Sequence, residues 1–242
     1  MFGFSTASAL AAPVAIFSEN INFFVPGVGF VGPFTQTTPE TSVVYTGNGI
    51  SASVANDYAI PSLSAQASVP SIPGLSGTVE SQLTYFIEIN GPSGVVPTPT
   101  FTSGTISVTT LSPLAFVSAS LSIVHVTDNQ TILSELACNN ASTCPGGTSF
   151  SSNGSLPLNA NELYKVTMIA HIGNLDSNAL VASAFVDPYF DLPVGYTLDI
   201  SDGIGNTPLA SSATPLPASL PLFVSGLSAM ALLSRRRRQR TT

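Results

Sequence analysis

Apolar side chains recur at every second position in several segments, a period that a β-strand satisfies and an α-helix does not. These rows are Ile50, Ala52 and Val54; Leu83, Tyr85, Ile87 and Ile89; Ile106 and Val108; Val117, Ala119, Leu121 and Ile123; Tyr164, Val166, Met168, Ala170 and Ile172; and Val194, Tyr196, Leu198 and Ile200. Each apolar row needs a second sheet to cover it, and two packed antiparallel sheets meet that need. The sequence therefore predicts an all-β, antiparallel β-sandwich or jelly-roll-like single domain over residues 13–206, with about seven to ten strands.

The charged residues are few and unevenly placed. Arg235, Arg236, Arg237, Arg238 and Arg240 are five of the six basic residues, so Met1 to Ser234 holds Lys165 alone against thirteen acidic residues, a formal charge of −12. A body of this charge repels a phosphate backbone, and nucleic-acid binding is excluded on that ground.

Two cysteines, Cys138 and Cys144, bracket a polar, loop-like stretch. A metal site would need two further ligands at a suitable spacing, and none lies near in sequence, since His125 and His171 are isolated. We therefore predict a disulfide between the two cysteines, which indicates an oxidising compartment.

The C-terminal region has three zones in a fixed order. A Pro-rich segment at 215–221 follows a linker at 207–214, an apolar run covers 220–233, and the arginines come last. As a helix, residues 220–233 would span about 21 Å, short of a hydrocarbon core of about 30 Å. We predict a marginal transmembrane helix whose arginines stay in the cytoplasm and place the body on the opposite side. The alternative is a buried core helix followed by a solvated basic tail.

These zones resemble the PEP-CTERM sorting signal of Gram-negative bacteria. The matching residues are the motif Pro215, Leu216, Pro217, Ala218 and Ser219, the apolar run, and the basic stop at Arg235, Arg236, Arg237 and Arg238. The resemblance implies export, retention in the inner membrane, recognition by an exosortase-type processing enzyme, cleavage near the Pro-rich motif, and release or attachment at the cell surface. Leu216 stands where the family's name motif has Glu, a departure that bears on cleavage more than on membership.

A second resemblance lies in the body. Ala182–Phe190 and Gly195–Asn206 resemble the closing segment of uncharacterised PEP-CTERM proteins, which implies a shared β fold and brings no known activity. At the other end, residues 1–12 are typical of the last part of a signal peptide, with small residues suited to cleavage after Ala11 or Ala12. We expect the true start to lie upstream; the alternative is a small-residue N-terminal strand.

Motifs for catalysis are missing, and no catalytic, cofactor-binding or metal-binding residue is predicted. The segment Gly47–Ile50 fits a hairpin turn. His171 could orient with Asp176 and a serine, but alternation places it on a polar strand face beside Lys165. His125 ends a strand on its core side, as a buried or rim histidine would.

Two sets of acidic residues are candidates for a site. Asp187, Asp191, Asp199 and Asp202, with Asn206, could hold calcium with hard oxygen ligands or could simply end strands and cap turns. Glu80 and Glu88 lie eight residues apart on one strand, a separation of about 26 Å that excludes a glycosidase pair.

Three classes of function remain. The leading hypothesis is a non-catalytic cell-surface or extracellular-matrix protein, with exopolysaccharide or biofilm as the association that the resemblance suggests. The second is a carbohydrate- or calcium-binding module, which exposed aromatics such as Tyr189 on a sheet face would favour. The third is a secreted hydrolase, which would need a convergent cluster of His, Asp and Ser.

Overall fold

The alternating segments form strands in a computed structural model, which describes residues 13–36, 42–110, 115–139, 144, 147–175 and 180–206. These residues contain thirteen strands and no helix. The strands form two antiparallel sheets that pack as a sandwich, so the predicted fold class is confirmed. The expected number of strands was too low, because several strands lack clean alternation.

Sheet A has seven strands. In the order β2-β1-β6-β11-β8-β9, with β13 also on β6, they are β1 (Ile16–Val25), β2 (Gly29–Gln36), β6 (Ser76–Asn90), β8 (Phe116–His125), β9 (Thr131–Cys138), β11 (Leu163–Leu175) and β13 (Thr197–Ile200). Sheet B has six. In the order β10-β7-β12-β5-β4-β3, they are β3 (Ser42–Gly47), β4 (Ile50–Asp57), β5 (Ser62–Val69), β7 (Val95–Thr110), β10 (Ser149–Asn159) and β12 (Leu180–Phe190).

The core lies between the two sheets and is formed by alternate residues of each strand. The largest side chains that are fully buried there include Tyr85, Tyr164, Phe23 and Phe190. Alternation identified the core residues of β4, β6, β8 and β11 correctly. The last predicted row is wrong at its start, because Val194 lies fully exposed in a turn and β13 begins only at Thr197.

Two local predictions are also confirmed. Asn48 and Gly49 both have positive φ in the tight turn between β3 and β4, as a two-residue hairpin loop requires. Cys138, at the end of β9, forms a disulfide with Cys144 across a Cα–Cα distance of 5.6 Å. In the chain-entropy view, closing a ring this short contributes about 2 kcal/mol.

Both ends of the sandwich meet on one edge of β6. β1 pairs with residues 76–84 of β6, and β13 pairs with residues 87–90 of the same edge. Ser201 lies between the two strands and is buried. Its hydroxyl accepts a hydrogen bond from the N–H of Phe86 at 2.9 Å and donates to the carbonyl of Pro13 at 2.5 Å. One side chain therefore joins β6 and the segment that leads into β1 at the point where β13 ends.

The predicted N-terminal and C-terminal signals lie outside the described residues. They comprise the signal-peptide remnant at 1–12, the linker at 207–214, and residues 215–242 with the sorting motif, the predicted helix at 220–233 and the arginines. All the described residues belong to one unit, residues 1–207. Within the described ranges, no helix has the length and hydrophobicity needed to cross a membrane.

Candidate functional site

A groove of about 320 Å³ runs across the outer face of sheet B. It is lined by Ser51, Ser53, Gln66, Ala67, Ser68, Ser107, Val181, Ala182 and Ser183. The strand register explains why the polar members meet. Ser53 pairs with Gln66, Gln66 with Ser183, and Ser183 with Ser107, so one row of polar side chains crosses β4, β5, β12 and β7. We call this the hydroxyl groove.

The chemistry of the hydroxyl groove is that of an uncharged hydrogen-bonding surface. Each serine offers one donor and two acceptor lone pairs, and Gln66 adds an amide that both donates and accepts. Its lining includes no acid, base or thiol. Such a surface can bind a polyhydroxylated neutral ligand through several weak hydrogen bonds, and it holds no group that could act as a nucleophile's base.

Tyr189, the aromatic residue named from the sequence, lies on this same sheet. It pairs in register with Phe101 of β7, and the two ring centroids are 5.9 Å apart with planes tilted by 31°. Phe101 is exposed and Tyr189 is half-buried. The pair adds an aromatic surface to sheet B beyond the end of the hydroxyl groove.

The outer face of sheet A brings a histidine, a carboxylate and a serine together. His171 pairs in register with Glu80 on one side and with Ser118 on the other. The Nδ1 atom of His171 lies 2.8 Å from Oε2 of Glu80, and this hydrogen bond lowers the pKa of Glu80 below its ordinary value despite partial burial. A Cβ on Gly173 would lie 2.4 Å from His171 Nε2, so the glycine leaves room for the imidazole.

This row lacks the contact that hydrolysis would need. Among the described residues no hydrogen bond joins Ser118 to His171, whose Nδ1 atom bonds with Glu80 and whose ring centroid lies 6.1 Å from that of Phe116. A nucleophile within reach of its base is the signature of acyl transfer. The solvated histidine expected from the sequence is therefore a surface histidine paired with Glu80, while Asp176 lies outside the described residues.

His125 lies at the rim of the core, where the sequence placed it. Its Nδ1 atom is 2.7 Å from Asp128 Oδ1, and its Nε2 atom is 3.0 Å from Glu162 Oε2. The second contact has the distance of an ion pair but not the geometry of a hydrogen bond. The Asn159 amide donates to the same Glu162 oxygen at 2.8 Å. His125 therefore joins two turns and is a structural residue.

The aspartates considered for calcium do not form one site. Asp187 is in β12 of sheet B, whereas Asp199 is in β13 of sheet A, opposite Glu88. Asn206 uses its amide on the backbone of Phe190, donating at 2.6 Å and accepting at 3.0 Å. Across the part of the chain that the structure describes, no group of three or more His, Cys, Asp and Glu side chains could hold a metal ion.

Asp187 is instead a buried acid. It is 8% exposed, and burial raises its pKa to about 6. The phenol of Tyr85 is fully buried, and burial followed by the nearby Asp187 raises the pKa of Tyr85 as well. Neither the Tyr85 hydroxyl nor Asp187 Oδ1 has a hydrogen-bond partner among the described residues. The sequence predicts Asp187 as a calcium ligand or as a residue that ends a strand, and it does not predict the burial of this side chain.

Comparison with known proteins leaves the function open. No protein-family model matches the chain, and no curated protein matches it significantly.

Proposed function

We propose that the chain is an exported, non-catalytic protein of the cell surface or extracellular matrix of a Gram-negative bacterium, and that it binds neutral polysaccharide. The hydroxyl groove on sheet B carries this proposal. Its row of polar side chains crosses four strands and consists of Ser53, Gln66, Ser183 and Ser107. A polymer that lies across the strands could therefore form hydrogen bonds with several uncharged side chains of the same kind. A neutral ligand is favoured because the lining holds no charge.

Two further observations support export. The Cys138–Cys144 disulfide is stable in an oxidising compartment and uncommon in a reducing cytoplasm. The residues 215–242 resemble a PEP-CTERM sorting signal, which would hold the protein in the inner membrane through the helix at 220–233. An exosortase-type enzyme would then cleave near Pro215–Ser219 and pass the body to the surface. The arginine-rich end would remain in the cytoplasm until cleavage.

Binding is tested by affinity electrophoresis of the full chain in gels that contain hydroxyethylcellulose, dextran or galactomannan. We expect at least one polymer to retard the protein. Ser183→Glu places a larger, charged side chain in the centre of the hydroxyl groove and should reduce that retardation strongly. Ser120→Glu makes the same change on the outer face of sheet A and should not. Equal retardation of both variants, or no retardation of the unmodified chain, would refute the proposal.

Sorting is tested separately in the native host. A tag inserted after Ser211, cell fractionation and mass spectrometry of the C-terminus locate the body and its end. Loss of the residues beyond the Pro-rich motif, with the body at the surface or in the medium, supports processing by a sorting enzyme. An intact chain in the inner membrane would mean a simple C-terminal anchor and would contradict the sorting part of the proposal.

A further inference from the structure

A second groove lies on the opposite outer face of the sandwich. It has a volume of about 290 Å³ and is lined by Asn22, Phe24, Phe30, Ser76, Gly77 and Thr78. These residues come from β1, β2 and β6 of sheet A. Phe24 pairs in register with Phe30 on one side and with Ser76 on the other, and Asn22 pairs with Thr78. We call this the aromatic groove.

One wall of the aromatic groove is an exposed aromatic pair. Phe30 is 78% exposed and Phe24 is 38% exposed, although neighbouring phenylalanines such as Phe23 are completely buried. The two ring centroids are 5.3 Å apart and the planes meet at 64°. Exposing two phenylalanines to water side by side forgoes the stabilisation that their burial would give. A ligand that covers the rings would recover part of it.

The other wall is polar and uncharged. Ser76 and Thr78 offer hydroxyl groups, and Asn22 offers an amide whose oxygen has no hydrogen-bond partner among the described residues. Rotation of that amide about χ2 would present either its N–H donors or its oxygen to the groove. A groove with an aromatic wall and a few convergent polar groups is the usual form of a small-molecule site.

We propose that the aromatic groove binds a single pyranose ring of a neutral polysaccharide. The apolar C–H face of the sugar would stack on Phe30, the more exposed ring, with Phe24 in contact at its side, and its hydroxyls would bond with Asn22, Ser76 and Thr78. A phenyl ring suits a pyranose because the axial C–H bonds on one side of the sugar form an apolar patch of similar size to the ring. The polar wall disfavours a purely apolar ligand, which would leave the wall's own polar groups unpaired.

The aromatic groove lies on the opposite face of the sandwich from the hydroxyl groove. The role inferred from this placement rests on the proposed function of the hydroxyl groove. The outer faces of two packed sheets point in opposite directions. A polymer bound to the hydroxyl groove and a polymer bound to the aromatic groove therefore lie on opposite sides of one rigid domain. One molecule would cross-link two polysaccharide chains, which is a structural role in a matrix and needs no catalysis.

The test uses the full chain and, from the same panel, the polymer that retards it most. Retardation in the gel measures binding, and the viscosity of the polymer solution measures cross-linking, which the unmodified chain should increase. Phe30→Ala removes the more exposed ring, and a stacking contact of this kind changes affinity on the order of tenfold. We expect the polymer still to retard Phe30→Ala, which binds through the hydroxyl groove. The variant should no longer increase the viscosity of the polymer solution. Val126→Ala, which trims an exposed apolar residue elsewhere, should match the unmodified protein.

The soluble probe cellohexaose locates the contact directly. In the Ser183→Glu background, it should shift the NMR signals of the Asn22 side-chain amide, and Phe30→Ala should remove that shift. If Phe30→Ala leaves viscosity unchanged while Ser183→Glu abolishes all binding, the aromatic groove is not a site and the proposed function stands. If no polymer of the panel binds the unmodified chain, both proposals fail together.

Discussion

The buried carboxyl group of Asp187 links the stability of this domain to pH. Asp187 is surrounded by protein on β12, and no cation of the described body is recorded as its partner. Burial penalises the ionised carboxylate and therefore raises its pKa. The folded state thus holds a proton on Asp187 more tightly than the unfolded chain does, and that difference in proton affinity is a difference in stability.

Asp187→Asn tests this link. The pKa of Asp187 is raised from an unfolded value of about 3.9 to about 6 in the folded protein. Its stabilising contribution is therefore complete below pH 4 and is lost as pH rises through 6. Compared with the unmodified chain, the variant should gain on the order of 2 kcal/mol at pH 7.5 and almost nothing at pH 4. Urea unfolding at both pH values measures the difference, and a gain that is equal at the two would refute it.

The matched control is Asp191→Asn, because Asp191 is exposed just beyond the end of the same strand. As an exposed surface substitution it should change the free energy of unfolding by less than about 0.5 kcal/mol. The sequence could not have distinguished the two residues. Both follow a β-rich segment and both carry the same charge, and only the packing of the folded sandwich buries one and exposes the other.

At the scale of elements, His125 joins two turns that are distant in sequence. Asp128 belongs to the β8–β9 turn, and Glu162 lies just before β11 in the β10–β11 connection. The imidazole is 12% exposed and lies against Tyr164, with ring centroids 5.2 Å apart. The pKa of Asp128 is lowered mainly by the backbone N–H of Gln130 and next by His125. The turn is therefore ordered by its own backbone as well as by the histidine.

His125→Ala removes the group between the two carboxylates. We expect the variant to lose about 1 kcal/mol in the free energy of unfolding, since the packing of the imidazole against Tyr164 is lost together with its contacts to the two exposed carboxylates. In a Glu162→Gln background the same change should cost less, and that difference measures the coupling. His171→Ala is the control, because its imidazole pairs with Glu80 on an open sheet face. Losses of equal size at both histidines would contradict a bridging role for His125.

Strands with clean alternation could be predicted and the others could not. Residues 83–89 of β6 and 164–168 of β11 carry a large apolar residue at each inward position, so the period of two is clear in the sequence. β1 places the buried polar Glu19 among its inward residues and an exposed Phe24 among its outward ones, which obscures the pattern. In β5, the inward positions include Ala65 and Ala67 between serines. Small residues carry too little hydrophobic contrast for periodicity to show.

At the scale of the whole molecule, neither groove could have been predicted from the sequence. The hydroxyl groove needs Ser53, Gln66, Ser183 and Ser107 in one row, and these residues come from strands whose order in the sheet is not their order in the chain. Composition did carry a weak sign, since a body rich in serine and threonine must put hydroxyl groups on its outer faces. Which hydroxyls become neighbours depends on strand order and register alone.

The strands at the two ends of the domain, β1 and β13, meet on one edge of β6. A substitution of Ser201 tests how much this junction stabilises the domain. The residue follows β13, is 1% exposed, and bonds with Phe86 of β6 and with Pro13, which precedes β1. Ser201→Ala leaves the part-buried Phe86 N–H and Pro13 carbonyl with one partner fewer, which should cost about 1 kcal/mol in the free energy of unfolding by urea. Ser107→Ala, on the exposed hydroxyl groove, should change it by less than about 0.5 kcal/mol. Hydrogen exchange should also quicken at residues 87–90 of β6, because β13 covers that edge. An unchanged stability and exchange rate in Ser201→Ala would mean that backbone pairing alone closes the domain.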